Sequence, residues 1–120
     1  ERSTEILKLA DGLGIHVAWL PFESEPPRCD LMVSTVPADS LMRRAEDLTA
    51  RADAVFDVVY DPWPTPLAVA GKIAGATVID GLDLLAGQAV GQVQLMTGYP
   101  VPMDVLRSTA QNGLAEHTRL

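Results

Sequence analysis

Four short apolar runs, at residues 15–20, 31–34, 54–60 and 76–79, alternate with segments of helical spacing, and this alternation constrains the fold more than any other feature. Short apolar runs bounded by turn residues read as strands. Strands separated by helices pair in parallel, because a tight hairpin cannot bring the chain back in the same direction. The run Ala54-Val55-Phe56-Asp57-Val58-Val59-Tyr60 is the richest in the branched and aromatic residues that suit a pleated surface. Leu31-Met32-Val33-Ser34 has the pattern of a strand buried on both faces.

Helices are expected over 1–14, from Asp39 or Ser40 to about 52, over 66–74, over 82–97, and from Pro102 onward. Gly12 and Gly14 stop the first. Thr65 caps the third, with Pro66 at its first position, where a missing N–H costs nothing. Gly98 and Pro100 end the longest, in which Leu82, Leu85, Ala86, Ala89, Val93 and Met96 share one face. Leu84, Gly91 and Leu95 form a second apolar surface, so burial nearly all round is predicted. Gln88 sits among them and needs hydrogen-bond partners there.

With 120 residues the chain suits one domain, and its 48% hydrophobic content is that of a globular protein. Sixteen acidic residues against 9 basic ones give a net charge of −7, with the bases scattered, which argues against a nucleic-acid partner. No apolar run approaches the roughly 18 residues of a membrane span, and no basic-then-apolar secretory signal is present. The single Cys29 cannot form an internal disulfide and fits a reducing cytoplasm. His16 and His117 lack zinc-site spacing, so no metal is expected.

Two stretches lie where open α/β sheets bind ligands, at a strand's carboxyl end and the start of the next helix. One is Tyr60 with the Thr65-Pro66-Leu67 that follows it; the other is Asp80-Gly81-Leu82-(x)-(x)-Leu85-(x)-(x)-Gln88. Taken singly, a strand-end tyrosine is more often packing and a helical glutamine more often a satisfied amide. Together these motifs resemble the C-terminal part of the shikimate dehydrogenase family, with Leu84 where methionine is common.

The resemblance implies an α/β fold over 1–120: the C-terminal portion of a Rossmann-type parallel sheet with flanking and C-terminal helices. It implies NADP as cofactor and shikimate or 3-dehydroshikimate as substrate, contacted by Tyr60 and Gln88. Val58 and Gly81 would lend backbone to the nicotinamide end, and Arg2 would read the 2′-phosphate, although Glu1 stands where asparagine is usual. Ser34-Thr35-Val36-Pro37 resembles the family's loop beside the cofactor.

The family's N-terminal substrate domain and glycine-rich phosphate loop have no counterpart in this sequence; Gly12-x-Gly14 follows a helix, not a strand. The family's catalytic lysine and aspartate belong to that domain, and neither Lys8 nor Lys72 has matching surroundings, so no catalytic residue is assigned. The chain alone is expected to be inactive. Two alternatives are a quinate/shikimate dehydrogenase relative and a non-catalytic nucleotide-binding or interaction module. In the strand order 3-2-1-4-5-6, the strand at 15–20 would be separated from its successor by two strands this sequence lacks. An open edge of that kind predicts self-association.

Overall fold

The structure, a computed structural model, describes residues 2–117, the side chains of Arg2 and His117 excepted. Helix α1 spans Arg2–Gly12, β1 Cys29–Ser34, α2 Ala45–Thr49 and β2 Ala52–Asp57. They are followed by α3 (Pro66–Ile73), β3 (Thr77–Ile79), α4 (Gly81–Thr97) and α5 (Met103–His117). The three strands form one parallel sheet in the order β1-β2-β3. Leu31 pairs with Ala54 and Ser34 with Asp57 across β1 and β2; Val55 pairs with Val78 across β2 and β3. The parallel α/β architecture is therefore the one the alternation of runs predicts.

The core lies on one face of this sheet. Val55 is fully buried among Leu41, Ala45, Leu67 and Ala70, with Met32 and Leu48 packed at its margin. Thr65 starts α3 as expected, accepting the Ala68 N–H on its hydroxyl, with Pro66 in the first turn. Gly71 lets α3 lie close to the sheet: a β-carbon there would sit 3.2 Å from Val78 Cγ2 and 3.4 Å from Val55 Cγ2. The opposite face is poorly covered, with Leu31 48% and Val33 51% exposed. The strand at 31–34 is thus buried on one face rather than two.

Three further expectations are corrected. Residues 15–20 form no strand, and Ile15, Trp19 and Leu20 are exposed. A strand needs a neighbouring ladder for its N–H and C=O groups, and none of the described strands flanks this segment. The helix predicted from Asp39 or Ser40 to about 52 is instead a 3₁₀ turn over Ala38–Leu41, followed by the short α2. Neither Asp39 nor Ser40 caps it, and β2 already begins at Ala52, which takes the chain out of the helix to pair with Cys29. Finally, α4 is not buried all round. Gly81, Leu82 and Ala86 are buried, but Leu95 is 89% exposed and Met96 nearly as much.

Candidate functional site

The carboxyl ends of β1 and β2 and the start of α4 converge on one point. Val58, just beyond β2, donates its N–H to the carbonyl of Ser34 at 3.1 Å, carrying the β1–β2 ladder one residue past the strand. Gly81 opens α4 directly against this segment. A β-carbon on Gly81 would fall far inside contact distance of the Val58 carbonyl oxygen, and would lie 2.9 Å from Val58 C and 3.0 Å from Val59 C. Only glycine permits that approach, and packing alone requires it. The Val58 N–H is thus used within the sheet, and its carbonyl is packed against Gly81. At the end of β1, the buried Ser34 hydroxyl has no hydrogen-bond partner among the described residues.

The loop after β2 carries Tyr60. The strand ends at Asp57, so Tyr60 stands three residues beyond it rather than within it. The tyrosine is 42% exposed, and its hydroxyl bonds to no described residue. The loop is tied at its base. Asp57, 1% exposed, accepts the Val59 N–H at 3.3 Å on Oδ1 and the Thr65 hydroxyl at 2.7 Å on Oδ2. Thr65 in turn accepts the Ala68 N–H at 3.1 Å.

The start of α4 is held from two sides. Asp80 Oδ1 accepts the Asp83 N–H at 2.8 Å and Asp83 Oδ2 accepts the Asp80 N–H at 3.1 Å, a reciprocal capping box. Arg107 reaches across from α5, donating from Nη2 to Asp80 at 2.6 Å and from Nε to Asp83 at 2.5 Å. Burial opposes ionisation of Asp83, but the Arg107 and Asp80 hydrogen bonds and the guanidinium charge outweigh it and hold the carboxyl below its ordinary value. The bond to Asp83 likewise raises the Arg107 guanidinium above its own.

Of the residues the sequence singles out, Val58 and Gly81 are in contact and Tyr60 follows Val58 by two positions. Gln88 is seven positions after Gly81 on α4, which puts both on one helical face. It is exposed, so the partners predicted for a buried amide are not required. Arg2 lies in the first turn of α1, and its side chain is outside the described residues. No cluster of metal-ligating side chains occurs among the described residues. Sequence reasoning missed Asp57, Asp83 and Arg107. An aspartate inside an apolar strand signals the first, and the spacing Asp80-x-x-Asp83 signals the capping box. Nothing local marks Arg107, which acts from 24 residues away.

No family model matches the chain. Among curated proteins, the shikimate dehydrogenase (NADP(+)) of Methanocella arvoryzae is 35% identical over 89 residues, covering 71% of this chain and 33% of its own length. That of Chlorobium phaeovibrioides is 36% identical over 85 residues, with 71% and 27% covered. Among solved structures, a shikimate 5-dehydrogenase from Mycobacterium fortuitum superposes with a TM-score of 0.75 at 38% identity, covering 88% of this chain and 41% of that one. Mycobacterium tuberculosis shikimate dehydrogenase gives a TM-score of 0.62 at 42% identity, with 72% and 32% covered. The chain therefore spans about a third of the length of the curated relatives it matches.

Proposed function

From the premise that this chain belongs to the shikimate dehydrogenase family, we propose that it supplies the nicotinamide-side and substrate-side contacts of an NADP-dependent shikimate dehydrogenase. The reaction is reversible hydride transfer between NADP and the carbonyl of 3-dehydroshikimate, giving shikimate. When bound, NADP supplies or accepts the hydride. The Val58 carbonyl and the Gly81 backbone border the nicotinamide end, and the Ser34 hydroxyl stands ready to bond there. Tyr60 and Gln88 bond the substrate's hydroxyl groups and orient it. Arg2 pairs with the 2′-phosphate of the cofactor.

The observation that carries this reading is the contact of Gly81 with the Val58 carbonyl at the carboxyl end of the sheet, with the exposed Tyr60 two residues on. The orphaned Ser34 hydroxyl fits a polar cofactor edge entering there. The proton-transferring lysine and its aspartate are not among this chain's residues, so these 120 residues alone do not turn over. Amide spectra of the chain test the binding role directly. Adding NADP⁺ and shikimate together should shift resonances at 58–60 and 80–88. Saturating ligand that leaves both segments unmoved would remove the reading.

A second copy of this chain covers the free face and edge of β1. A parallel sheet with an open edge and half-exposed Leu31 and Val33 is the natural place for it. Sedimentation should show a dimer at micromolar concentration; a monomer at every concentration would contradict it. No described helix is long and apolar enough to cross a membrane, and the composition favours the cytoplasm and a small-molecule rather than a nucleic-acid partner.

A further inference from the structure

We propose that Asp57 is the positioning residue for the substrate-facing loop, acting on Tyr60 through the loop's two ends. Its bearing on substrate rests on the dehydrogenase reading; the clasp itself does not.

Asp57 and Asp80 are the two buried acids of the described chain, and they are built differently. Asp80 is met by Arg107, whereas Asp57 has no cationic partner among the described residues. A buried carboxyl group is costly unless its oxygens are hydrogen-bonded. Here each oxygen takes one donor, and the donors come from opposite ends of the same loop. The Val59 N–H lies immediately before Tyr60, and the Thr65 hydroxyl lies five residues after it. The carboxylate thereby closes a loop whose ends are eight residues apart, Tyr60 on its rising limb and Pro62, Trp63 and Pro64 on its return.

Donor directions make the clasp specific. The Ala68 N–H can only donate, so Thr65 Oγ accepts from it, and the hydroxyl proton is left for Asp57. The same hydroxyl therefore caps α3 and latches the loop. An alanine at 57 offers neither donor an acceptor, so both ends of the loop come free, whereas an asparagine could keep both by donating its amide N–H to the Thr65 oxygen. A valine at 65 keeps the shape of threonine and removes both bonds. A serine keeps both.

The test uses the 120-residue chain and three variants: Asp57→Ala, Thr65→Val and Thr65→Ser. Amide exchange at 59–64 should accelerate at least about tenfold in the first two and stay near the parent rate in Thr65→Ser, while amides of β2 and α3's last turn keep their protection. In the parent chain, the Thr65 hydroxyl proton should itself exchange slowly, a readout that holds even if a variant fails to fold. Shikimate, added with NADP⁺, should need about tenfold more to saturate the Tyr60 ring shift in Asp57→Ala. Unchanged loop exchange in Asp57→Ala, a Thr65→Ser chain as loose as Thr65→Val, or a rapidly exchanging Thr65 hydroxyl proton would each overturn the clasp. If the parent's Tyr60 ring does not respond to ligand while the exchange pattern holds, the dehydrogenase reading fails and the clasp stands. If ligand shifts Tyr60 equally well in the loosened variants, the positioning role fails and the dehydrogenase reading stands.

Discussion

Replacing Gly81 by alanine probes how the candidate site is built. The new methyl would meet the Val58 carbonyl oxygen, Val58 C at 2.9 Å and Val59 C at 3.0 Å, where carbon atoms ordinarily keep about 3.5 Å or more. All three are backbone atoms, so no rotamer change clears the space. Neither side gives easily. Val58 is tied to the Ser34 carbonyl, and Gly81 is flanked by a capping box that Arg107 pins from α5. Overpacking costs about 1–3 kcal/mol, and opposition by backbone on both sides places this case at the top of that range. Alanine's better helix propensity returns at most about 1 kcal/mol. The net loss is then about 2 kcal/mol, and at about 5 °C per kcal/mol for a domain of this size the melting point falls by about 10 °C.

Gly87, on the same helix, is the control, because an added β-carbon there meets nothing within 4 Å. Gly87→Ala should hold or raise the melting point. Thermal unfolding followed by circular dichroism, at one fixed protein concentration because association shifts apparent stability, decides the matter. A Gly81→Ala chain that melts with or above the parent would refute the close contact on which the site depends.

Other outcomes follow from the same geometry. Arg107→Met removes two charge-assisted bonds from a part-exposed clamp, and should cost about 1–2 kcal/mol and loosen α5, read as faster amide exchange along that helix. The Asp83 carboxyl is held below its ordinary value in the fold, so its stabilisation is complete above the unfolded value of about 3.9 and is lost as pH falls through the folded one. Acid titration should therefore release α5 below about pH 4 in the parent, and Arg107→Met should flatten that step. When this chain replaces the matching segment of the Mycobacterium fortuitum enzyme, Tyr60→Phe and Gln88→Ala should each raise KM for shikimate about tenfold, roughly one hydrogen bond. Neither should change the melting point much, since both side chains are exposed.

The elements most legible in the sequence were those fixed locally. Thr65-Pro66 starts a helix because the hydroxyl cap and the missing N–H act within one turn, and Gly98 ends one through a left-handed φ of 77°. The run at 54–60, rich in valine and aromatic residues, supplies the strand Ala52–Asp57 because its side chains suit the sheet that β1 and β3 complete. The segment at 15–20 has the same apolar character but no ladder beside it, and strand formation is a property of pairs. Burial of α4 was overread for a related reason: Leu95 and Met96 show that an apolar surface records what a helix can cover, not what covers it. At the site, spacing carried Gly81 and Gln88 onto one helical face. The bond of Asp57 to Thr65 and the reach of Arg107 to Asp80 were hidden because they join residues 8 and 27 positions apart.

Shikimate-dependent reduction of NADP⁺ by the purified 120-residue chain, beside the same assay on its chimera with the Mycobacterium fortuitum enzyme, addresses the central claim most directly. No turnover by the chain alone and turnover by the chimera would place these residues as the binding half of a dehydrogenase site. Turnover by the chain alone, at a rate that tracks its concentration, or a folded chimera without activity, would contradict it.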